Sequence, residues 1–359
     1  MTLLSTLLLF SSSLDRPYKL MVGDPAPKLS VSKWSRGEPV SSFQNGKVYV
    51  IDFFATWCEP CKRSMPVLST LQTKYGERAT FIGIDVWDYQ ERVPELLLQM
   101  GNKLNYRVAL DDLPPIPKEE QNVPMWGVNH GPSSKDWLVA SGRHEEGIPT
   151  VFVINGKGRV AWIGDNTNEL AAQLARVVDG TFDIDAAAKL YAVRAAHDKQ
   201  IRGLASNLFE SRQAKDWPSA LKYCDKLIAF EPAQGRYAGI KFGILLTQMD
   251  RKAEAYEFAS SQLASSNPIV GAFSQMAMAI VSQKTPKSAE DLALAEQLAE
   301  HGNVLAQGRD PGSLEALAEV AYLKGDKVTA IRWQKTAIAQ IKDESDAVAA
   351  KRRLKEYGG

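Results

Sequence analysis

Short apolar, β-rich runs alternate with helix-periodic stretches over the first half of the chain. The apolar runs predict five strands, at Lys47–Phe54, Ala79–Val86, Tyr106–Leu110, Thr150–Asn155 and Arg159–Ile163. The stretches between them predict three helices, at Lys62–Tyr75, Tyr89–Met100 and Asp136–Ser141. This alternation is typical of an α/β domain with a central sheet. The segment Asp111–Lys135 is rich in Pro and Gly, and it predicts a long surface loop.

Strand signals stop after residue 183, and the rest of the chain has helical period. It is rich in Ala, Leu, Lys and Glu and is broken by single prolines. Segments aligned on Ala220, Ala255 and Ala330 lie 35 and 75 residues apart, a degenerate period that resembles the tetratricopeptide repeat. The pattern predicts an α/β domain at residues 18–183 and an all-α, tetratricopeptide-like domain at 184–359.

Residues 1–17 precede the predicted α/β domain and form a segment of their own. The apolar run Met1–Phe10 is followed by three serines, as in a clipped secretory segment. It lacks a preceding Lys or Arg and a small-residue cleavage site, so a signal remnant and a disordered or packed start both stay open. The run is too short to span a bilayer, and no other stretch can cross one, which predicts peripheral or no membrane contact.

Charge and cysteine content narrow the class of protein. The 359 residues carry a net charge of +1, so nothing favours a nucleic-acid partner. The three cysteines are too few for a disulfide-stapled scaffold or for a four-thiolate zinc site within one chain.

Two of these cysteines form the strongest chemical signal. The sequence Trp57-Cys58-Glu59-Pro60-Cys61 follows a predicted apolar strand and opens a predicted helix. Residues i and i+3 lie on one face of a helix, within the separation that a disulfide tolerates. The helix N-terminus favours a thiolate at Cys58. The pattern predicts thiol–disulfide exchange.

Two residues outside the CxxC segment add to this signal. Asp52 lies inside the apolar strand before Cys58, so we expect it to be buried, to have a raised pKa, and to exchange a proton with the second thiol. Ile148-Pro149 precedes the strand at Thr150. A proline there can be cis and can present backbone groups to an extended client.

The segments Val50–Lys62 and Gly147–Thr150, together with Pro66, resemble a thioredoxin-fold domain, in which helices flank a central mixed sheet. The Glu-Pro dipeptide of the CxxC and the entry Gly23–Pro27 resemble the TlpA/ResA branch of thiol–disulfide oxidoreductases. Members of that branch usually work outside the cytoplasm and often reduce cysteines of other proteins. The resemblance covers about residues 18–183.

The resemblance implies a role for each matching residue. Cys58 would be the attacking thiolate, Cys61 the resolving thiol, Asp52 the buried aspartate and Pro149 the cis-proline. The residues that would tune the site or bind substrate are Trp57, Glu59, Pro60, Asp88 and Ile148. No cofactor beyond the redox disulfide is implied. The implied partners are client proteins with disulfides or thiols and an electron donor. The implied location is the periplasm or cell envelope, with the cytoplasm left open by the weak signal segment.

Two features bear on the direction of electron flow and on the proton path. The lysine that pairs with the buried aspartate in thioredoxin has no equivalent, because the matching strand reads Phe81-Ile82-Gly83-Ile84. The charge of Glu59 should raise the pKa of the Cys58 thiol, which stabilises the disulfide and favours a reductant.

Several alternatives compete with this interpretation. Cys58 and Cys61 with His144 would make a weak metal site. A peroxidase of the peroxiredoxin type needs Thr three residues before its reactive Cys, where this chain has Ala55. We expect Cys224 to be a buried, inert thiol. The alternative of another class is an interaction scaffold, in which the helical half binds a partner and the redox pair is secondary.

Overall fold

A computed structural model describes residues 16–113, 130–165, 167–266, 268–269, 271–341 and 344–359. Most of the predicted signal segment and the middle of the predicted loop lie outside these residues. The chain divides into two compact units, Met1–Lys199 and Gln200–Gly359. The sequence-based boundary after residue 183 stays a prediction.

The first unit is built around one six-stranded mixed sheet. The strands are β1 (Val31–Arg36), β2 (Val48–Phe54), β3 (Ala79–Asp85), β4 (Arg107–Asp111), β5 (Thr150–Ile154) and β6 (Val160–Gly164). Their order is β1-β4-β3-β2-β5-β6. Strands β2, β3 and β4 are parallel, while β1, β5 and β6 each pair antiparallel with their neighbours. The predicted thioredoxin fold, a mixed sheet flanked by helices, is confirmed.

Helices pack on this sheet. They are α1 (Glu59–Tyr75), α2 (Val93–Met100) and α3 (Thr167–Val178), with α4 (Ile184–Gln213) following. A 3₁₀ turn at Gln90–Arg92 precedes α2, so that helix begins later than predicted. The predicted helix at Asp136–Ser141 is instead a π-helical segment, Ser134–Val139.

Two elements were not predicted. Strand β1 reads Val-Ser-Lys-Trp-Ser-Arg and is only partly buried at the sheet edge, so it lacks the apolar run of a central strand. Helix α3 was missed although its buried residues Leu170, Leu174 and Val177 have helical spacing.

Side chains of β2 alternate between two apolar layers. Val50 and Phe54 face the layer that contains Cys61 and Met65 of α1, which we call the α1 layer. Ile51 and Phe53 face the opposite layer. Every residue of β2 is buried, because helices or loops cover both faces.

Helix α1 begins directly after β2. Cys58 is its N-cap, Pro60 lies in its first turn, and the helix continues through Pro66. It ends at Gly76, whose φ of 55° is accessible to glycine at little cost. The N-terminus of α1 is therefore fixed at the edge of the sheet where β2 ends.

The second unit is helical. After α4 come α5 (Trp217–Phe230), α6 (Gly235–Gly243), α7 (Lys252–Leu263), α8 (Phe273–Val281), α9 (Ala289–Leu305), α10 (Pro311–Leu323), α11 (Lys327–Gln340) and α12 (Glu344–Tyr357). Ala220, Ala255 and Ala330, on which the repeat was aligned, are all fully buried. The predicted helical domain is present, and its likeness to tetratricopeptide repeats stays a prediction. No helix in the described part of the chain is long and apolar enough to cross a membrane.

Candidate active site

Cys58 and Cys61 form a disulfide across the first turn of α1. Their Cα atoms are 5.3 Å apart. Cys61 is fully buried, whereas Cys58 retains 3% of its exposure. Because only Cys58 reaches the surface, it is the sulfur that another protein can approach first.

The N-terminus of α1 surrounds Cys58 with hydrogen-bond donors. The backbone N–H of Cys61 donates to the Cys58 Sγ at 3.2 Å. Pro60 has no N–H, and its fixed φ suits the first helical turn. In the reduced protein this N–H and the helix dipole stabilise a thiolate at Cys58.

Glu59 is exposed and paired with a lysine. Its carboxylate lies 2.8 Å from the Nζ of Lys62. The hydrogen bond and charge of Lys62 lower the pKa of Glu59, which therefore stays ionised. The same lysine offsets the negative charge beside Cys58, so we expect Glu59 to raise the thiol pKa less than the sequence alone implied.

The loop before β5 lies against the disulfide. The Ile148–Pro149 peptide bond is cis. The Ile148 carbonyl oxygen is 3.6 Å from the Cys58 Sγ. This oxygen can accept a hydrogen bond from the Cys58 thiol after reduction. The structure thus brings Cys58 against the loop that carries Pro149, which lies 91 positions away in the chain.

Asp52 is 1% exposed in β2. Its position in the alternation of β2 places it on the side of the sheet that carries the α1 layer. The hydroxyl of Tyr106 donates to its Oδ2 at 2.9 Å, and its Oδ1 has no partner among the described residues. Burial raises the pKa of Asp52 to about 7, although the hydrogen bond from Tyr106 opposes the shift. The predicted burial and raised pKa are confirmed.

Tyr106 was missed by the sequence reasoning. In the sheet, Asp52 pairs with Gly83, at the strand where thioredoxin would supply lysine. A Cβ at Gly83 would lie 3.1 Å from Cε2 of Tyr106 and 3.0 Å from Cε1 of Phe54. A glycine inside a strand signals such a close approach, and this signal could have been used.

Asp88 follows β3 and holds the segment before the CxxC. Its carboxylate accepts hydrogen bonds from the backbone N–H groups of Thr56 and Tyr89. Asp85, at the end of β3, is fully buried. Burial and the neighbouring Asp88 carboxylate raise the pKa of Asp85 well above its usual range. Asp88 therefore fixes the backbone just before the CxxC by its hydrogen bond with Thr56.

Tryptophans connect the site to its surroundings. Trp57 is 43% exposed beside Cys58, and its indole N–H donates to the backbone carbonyl of Trp87 at 3.0 Å. The Trp87 indole N–H donates to His130 Nδ1 and Ser134 Oγ, each at 3.0 Å. Trp57 thus presents an anchored apolar surface next to the reactive sulfur.

The structure places His144 beside His130, with ring centroids 6.4 Å apart. Among the described residues, no group of three or more His, Cys, Asp or Glu side chains could hold a metal ion.

Cys224 is fully buried in the helical unit, and burial raises the pKa of its thiol to about 12. Its thiolate is therefore negligible at neutral pH, as expected for an inert thiol.

Comparison with known proteins finds relatives of the part of the chain that carries this site. Residues 22–163 match the AhpC/TSA family. Protein FixW of Rhizobium leguminosarum is 29% identical over 219 residues, covering 59% of this chain and 92% of FixW. The thiol-disulfide oxidoreductase ResA of Bacillus anthracis is 28% identical over 154 residues, covering 42% of this chain and 75% of ResA. A solved thiol-disulfide isomerase from Corynebacterium glutamicum has 21% identity and a TM-score of 0.34, covering 44% of this chain and 97% of its own.

Proposed function

We propose that this chain, whose residues 22–163 match the AhpC/TSA family model and whose first half is similar to ResA-type thiol–disulfide oxidoreductases, reduces disulfides in client proteins. The observation that carries the proposal is the position of Cys58. Its sulfur is the N-cap of α1, receives a backbone N–H, and lies against the cis-proline loop at the protein surface. Such a sulfur is poised as a thiolate nucleophile.

The exchange proceeds in two balanced steps. The Cys58 thiolate attacks one sulfur of a client disulfide, forming a mixed disulfide and releasing the other client sulfur as a thiolate, which takes a proton from water. Cys61 then loses its proton and attacks the Cys58 Sγ, which releases the second client thiolate. The second client thiolate also takes a proton from water, so the client gains two electrons and two protons, and Cys58 and Cys61 end as the disulfide.

Asp52 is the proposed acceptor of the Cys61 proton. Both residues belong to the same side of the sheet, and a carboxyl with a pKa of about 7 can take and return a proton near neutral pH. The backbone around the cis-proline would hold the client segment, while Trp57 would cover the mixed disulfide. Asp88 would support the site through the N–H of Thr56.

The reducing direction rests on the balance of charges at Cys58. Helix α1 favours the thiolate, and Glu59 opposes it. A thiol of higher pKa makes the disulfide the more stable form and the dithiol the better reductant. Lys62 weakens this argument without reversing its sign, because Glu59 remains next to Cys58 and Lys62 lies one turn further along.

The proposal is tested by trapping the mixed disulfide. Reduced Cys61→Ser protein mixed with insulin, a substrate with accessible disulfides, should accumulate a covalent adduct through Cys58, because the resolving thiol is gone. Wild-type dithiol in the same mixture should reach equilibrium with its own disulfide closed and insulin reduced.

The matched controls separate the three thiols. Cys58→Ser should give no adduct, and Cys224→Ser combined with Cys61→Ser should give the full adduct, since Cys224 is buried. Loss of the adduct in Cys61→Ser, or an adduct in Cys58→Ser, contradicts the assigned order of attack. Insulin left oxidised by the wild-type dithiol contradicts the reducing direction.

For the helical half, from residue 184, we propose a role in binding clients or another partner. The second unit has a pocket of about 380 Å³ lined by aromatic, aliphatic and polar side chains, among them Phe209, Trp217, Ile240 and Arg212. This pocket also favours the alternative of an interaction scaffold. If a chain with Cys58 and Cys61 both replaced by Ser still supported the physiological role, the scaffold would be the better account.

Two further assignments follow from the resemblance to the TlpA/ResA branch. We place the protein outside the cytoplasm, in the periplasm or cell envelope. There the Cys58–Cys61 disulfide would be reduced again by an electron donor, a separate protein thiol. Fractionation of cells that express the full chain tests the location.

A further inference from the structure

A buried hydrogen bond in the first unit joins Tyr106 to Asp52, which lie far apart in the sequence. The Tyr106 hydroxyl is 2.9 Å from the Asp52 Oδ2, and both side chains are buried. Tyr106 lies just before β4, two strands away from β2 in the sheet. The ring therefore crosses β3 to reach Asp52.

The path of the ring depends on a missing side chain. Gly83 is the β3 residue paired with Asp52, and any Cβ there would lie 3.1 Å from the Tyr106 ring. Because Gly83 has no side chain, the space above β3 is filled by the ring of Tyr106. A tyrosine hydroxyl, and not a lysine ammonium group, therefore contacts Asp52 across β3.

A tyrosine acts on the carboxylate differently from a lysine. A neutral hydroxyl donates one hydrogen bond and brings no net charge, so it stabilises the ionised carboxylate only in part. Burial and the Asp52 charge raise the pKa of Tyr106 well above its usual range, and Tyr106 therefore remains a donor at neutral pH.

We propose that Tyr106 is a positioning residue, whose hydroxyl holds one oxygen of the buried Asp52 carboxyl and leaves the other oxygen to exchange a proton with Cys61. The inference deepens the proposed function, because it rests on Asp52 as the proton acceptor for Cys61. The unpartnered Oδ1 of Asp52 is the oxygen left free to take that proton.

Many titratable groups lie on the elements packed around Asp52, but few of them affect its pKa. Its other sheet neighbour is Val151 of β5, which does not titrate. The titratable or charged groups on the packed elements are Cys58 at the N-cap of α1, Glu59, Cys61, Lys62, Arg63, Lys74 and Tyr75 on α1, Asp85 on β3, Arg107 and Asp111 on β4, Glu95 on α2, and Glu169 and Arg176 on α3. Apart from burial, only Tyr106 shifts the pKa of Asp52.

The test uses the full-length oxidised protein, in which Cys58 and Cys61 do not titrate. Carboxyl ¹³C resonances of labelled aspartate are followed against pH, and the Asp52 signal is assigned by its loss in Asp52→Asn. In the wild-type protein it should titrate near pH 7. In Tyr106→Phe the midpoint should rise by about one pH unit, since one hydrogen bond to a charged group is lost.

The matched control is Tyr75→Phe. Tyr75 is also buried in the α1 layer, but among the described contacts its hydroxyl makes no hydrogen bond with Asp52. This variant should leave the Asp52 midpoint unchanged. A midpoint in Tyr106→Phe that equals the wild-type value, or an equal shift in Tyr75→Phe, overturns the inference.

A measurement on the wild-type chain avoids any folding defect of Tyr106→Phe. The ¹³Cζ resonance of Tyr106 should shift with the same midpoint as Asp52, and this shift should vanish in Asp52→Asn. A Tyr106 resonance that ignores the ionisation of Asp52 also overturns the inference.

The pH profile of insulin reduction separates this inference from the proposed function. Asp52→Asn should remove the limb near pH 7, and Tyr106→Phe should move it upward. If Asp52→Asn leaves the profile unchanged, the role of Asp52 as proton acceptor fails, while the carboxyl titration still decides whether Tyr106 acts on Asp52.

Discussion

Aspartates in the two units respond to their surroundings in opposite directions. In the sheet, burial raises the pKa of Asp52 and of Asp85. In the helical unit, Asp216 and Asp326 are N-caps that accept the backbone N–H groups of Ser219 and Thr329, and these hydrogen bonds lower their pKa.

The difference lies in what each carboxylate receives in exchange for water. An N-cap aspartate gains unpaired N–H groups and the positive end of the helix dipole, so its charge stabilises the fold. Asp52 gains one neutral hydroxyl and loses almost all of its hydration, so its charge destabilises the fold. Such a cost is expected where a residue is kept for chemistry rather than for stability.

The largest expected effect that would test this comparison is at Asp52. The folded-state pKa of about 7 lies above the value of 3.8 expected in the unfolded chain. The folded state therefore binds the proton more tightly, and stability falls as pH rises from about 4 to 7. Asp52→Asn should increase the free energy of unfolding of the oxidised protein at pH 8 by on the order of 3 kcal/mol.

Urea unfolding of the oxidised protein at several pH values measures this difference. The gain should shrink towards zero near pH 4, where Asp52 is protonated in the folded wild-type chain. A loss of stability in Asp52→Asn at pH 8 would mean that the Asp52 charge is stabilised in the fold, and the comparison would break.

The opposite sign is expected at Asp291 on α9. Burial alone would raise its pKa, but hydrogen bonds from Lys252, Tyr256 and Ser288 lower it below the usual range. Asp291→Ala should therefore reduce the free energy of unfolding by about 2 kcal/mol at pH 7, since it removes a capping box and leaves the Tyr256 hydroxyl without this partner.

This loss should diminish as pH falls below 4, because a depressed pKa contributes stability only while the carboxylate is ionised. Thermal unfolding at pH 7 and at pH 3 provides the measurement. Glu296→Ala is the matched control on the same helix: its exposed pair with Lys324 should contribute almost nothing. Equal losses in both variants would show that the hydrogen bonds of the Asp291 carboxylate add no more to the free energy of unfolding than an exposed ion pair does.

The smallest effect is expected at Asp310, the N-cap of α10. Its carboxylate accepts the N–H of Ser313 at 3.0 Å and the Ser313 hydroxyl at 2.5 Å. Asp310→Ala should lower the free energy of unfolding by about 1 kcal/mol, while Asp310→Asn, which keeps the cap, should cost only a few tenths. Denaturant midpoints of the two variants give this result. A cost for Asn as large as for Ala would assign the effect to charge alone.

The sequence predicted the sheet and the redox pair well because both depend on local patterns. Strands β2 to β6 are apolar runs, and the CxxC follows β2 at the start of a helix, as the order of residues requires. The edge strand β1 was missed because its residues alternate too weakly, and only pairing with β4 makes it a strand. The cis bond at Pro149 was possible from its position before a strand, and the resemblance made it expected.

The site was predicted less completely than the fold. Asp52 could be expected to be buried, since apolar residues surround it in β2. Tyr106 could not be assigned to it, because the contact joins residues 54 positions apart and exists only when β3 has a glycine at the crossing. Similarly, the hydrogen bond from Trp87 to His130 joins residues 43 positions apart, and the sequence of neither segment predicts it.

The sequence by itself determined strands β2 to β6, the position of the CxxC at the start of a helix and the burial of Asp52, because hydrophobic period and residue spacing act over a few neighbouring positions. Only the tertiary structure decided the partner of Asp52, the contact of Ile148 with Cys58 and the exposure of one sulfur rather than the other. These properties depend on packing between strands distant in the chain, where the loss of water and the nearest donor set the energy of each charge.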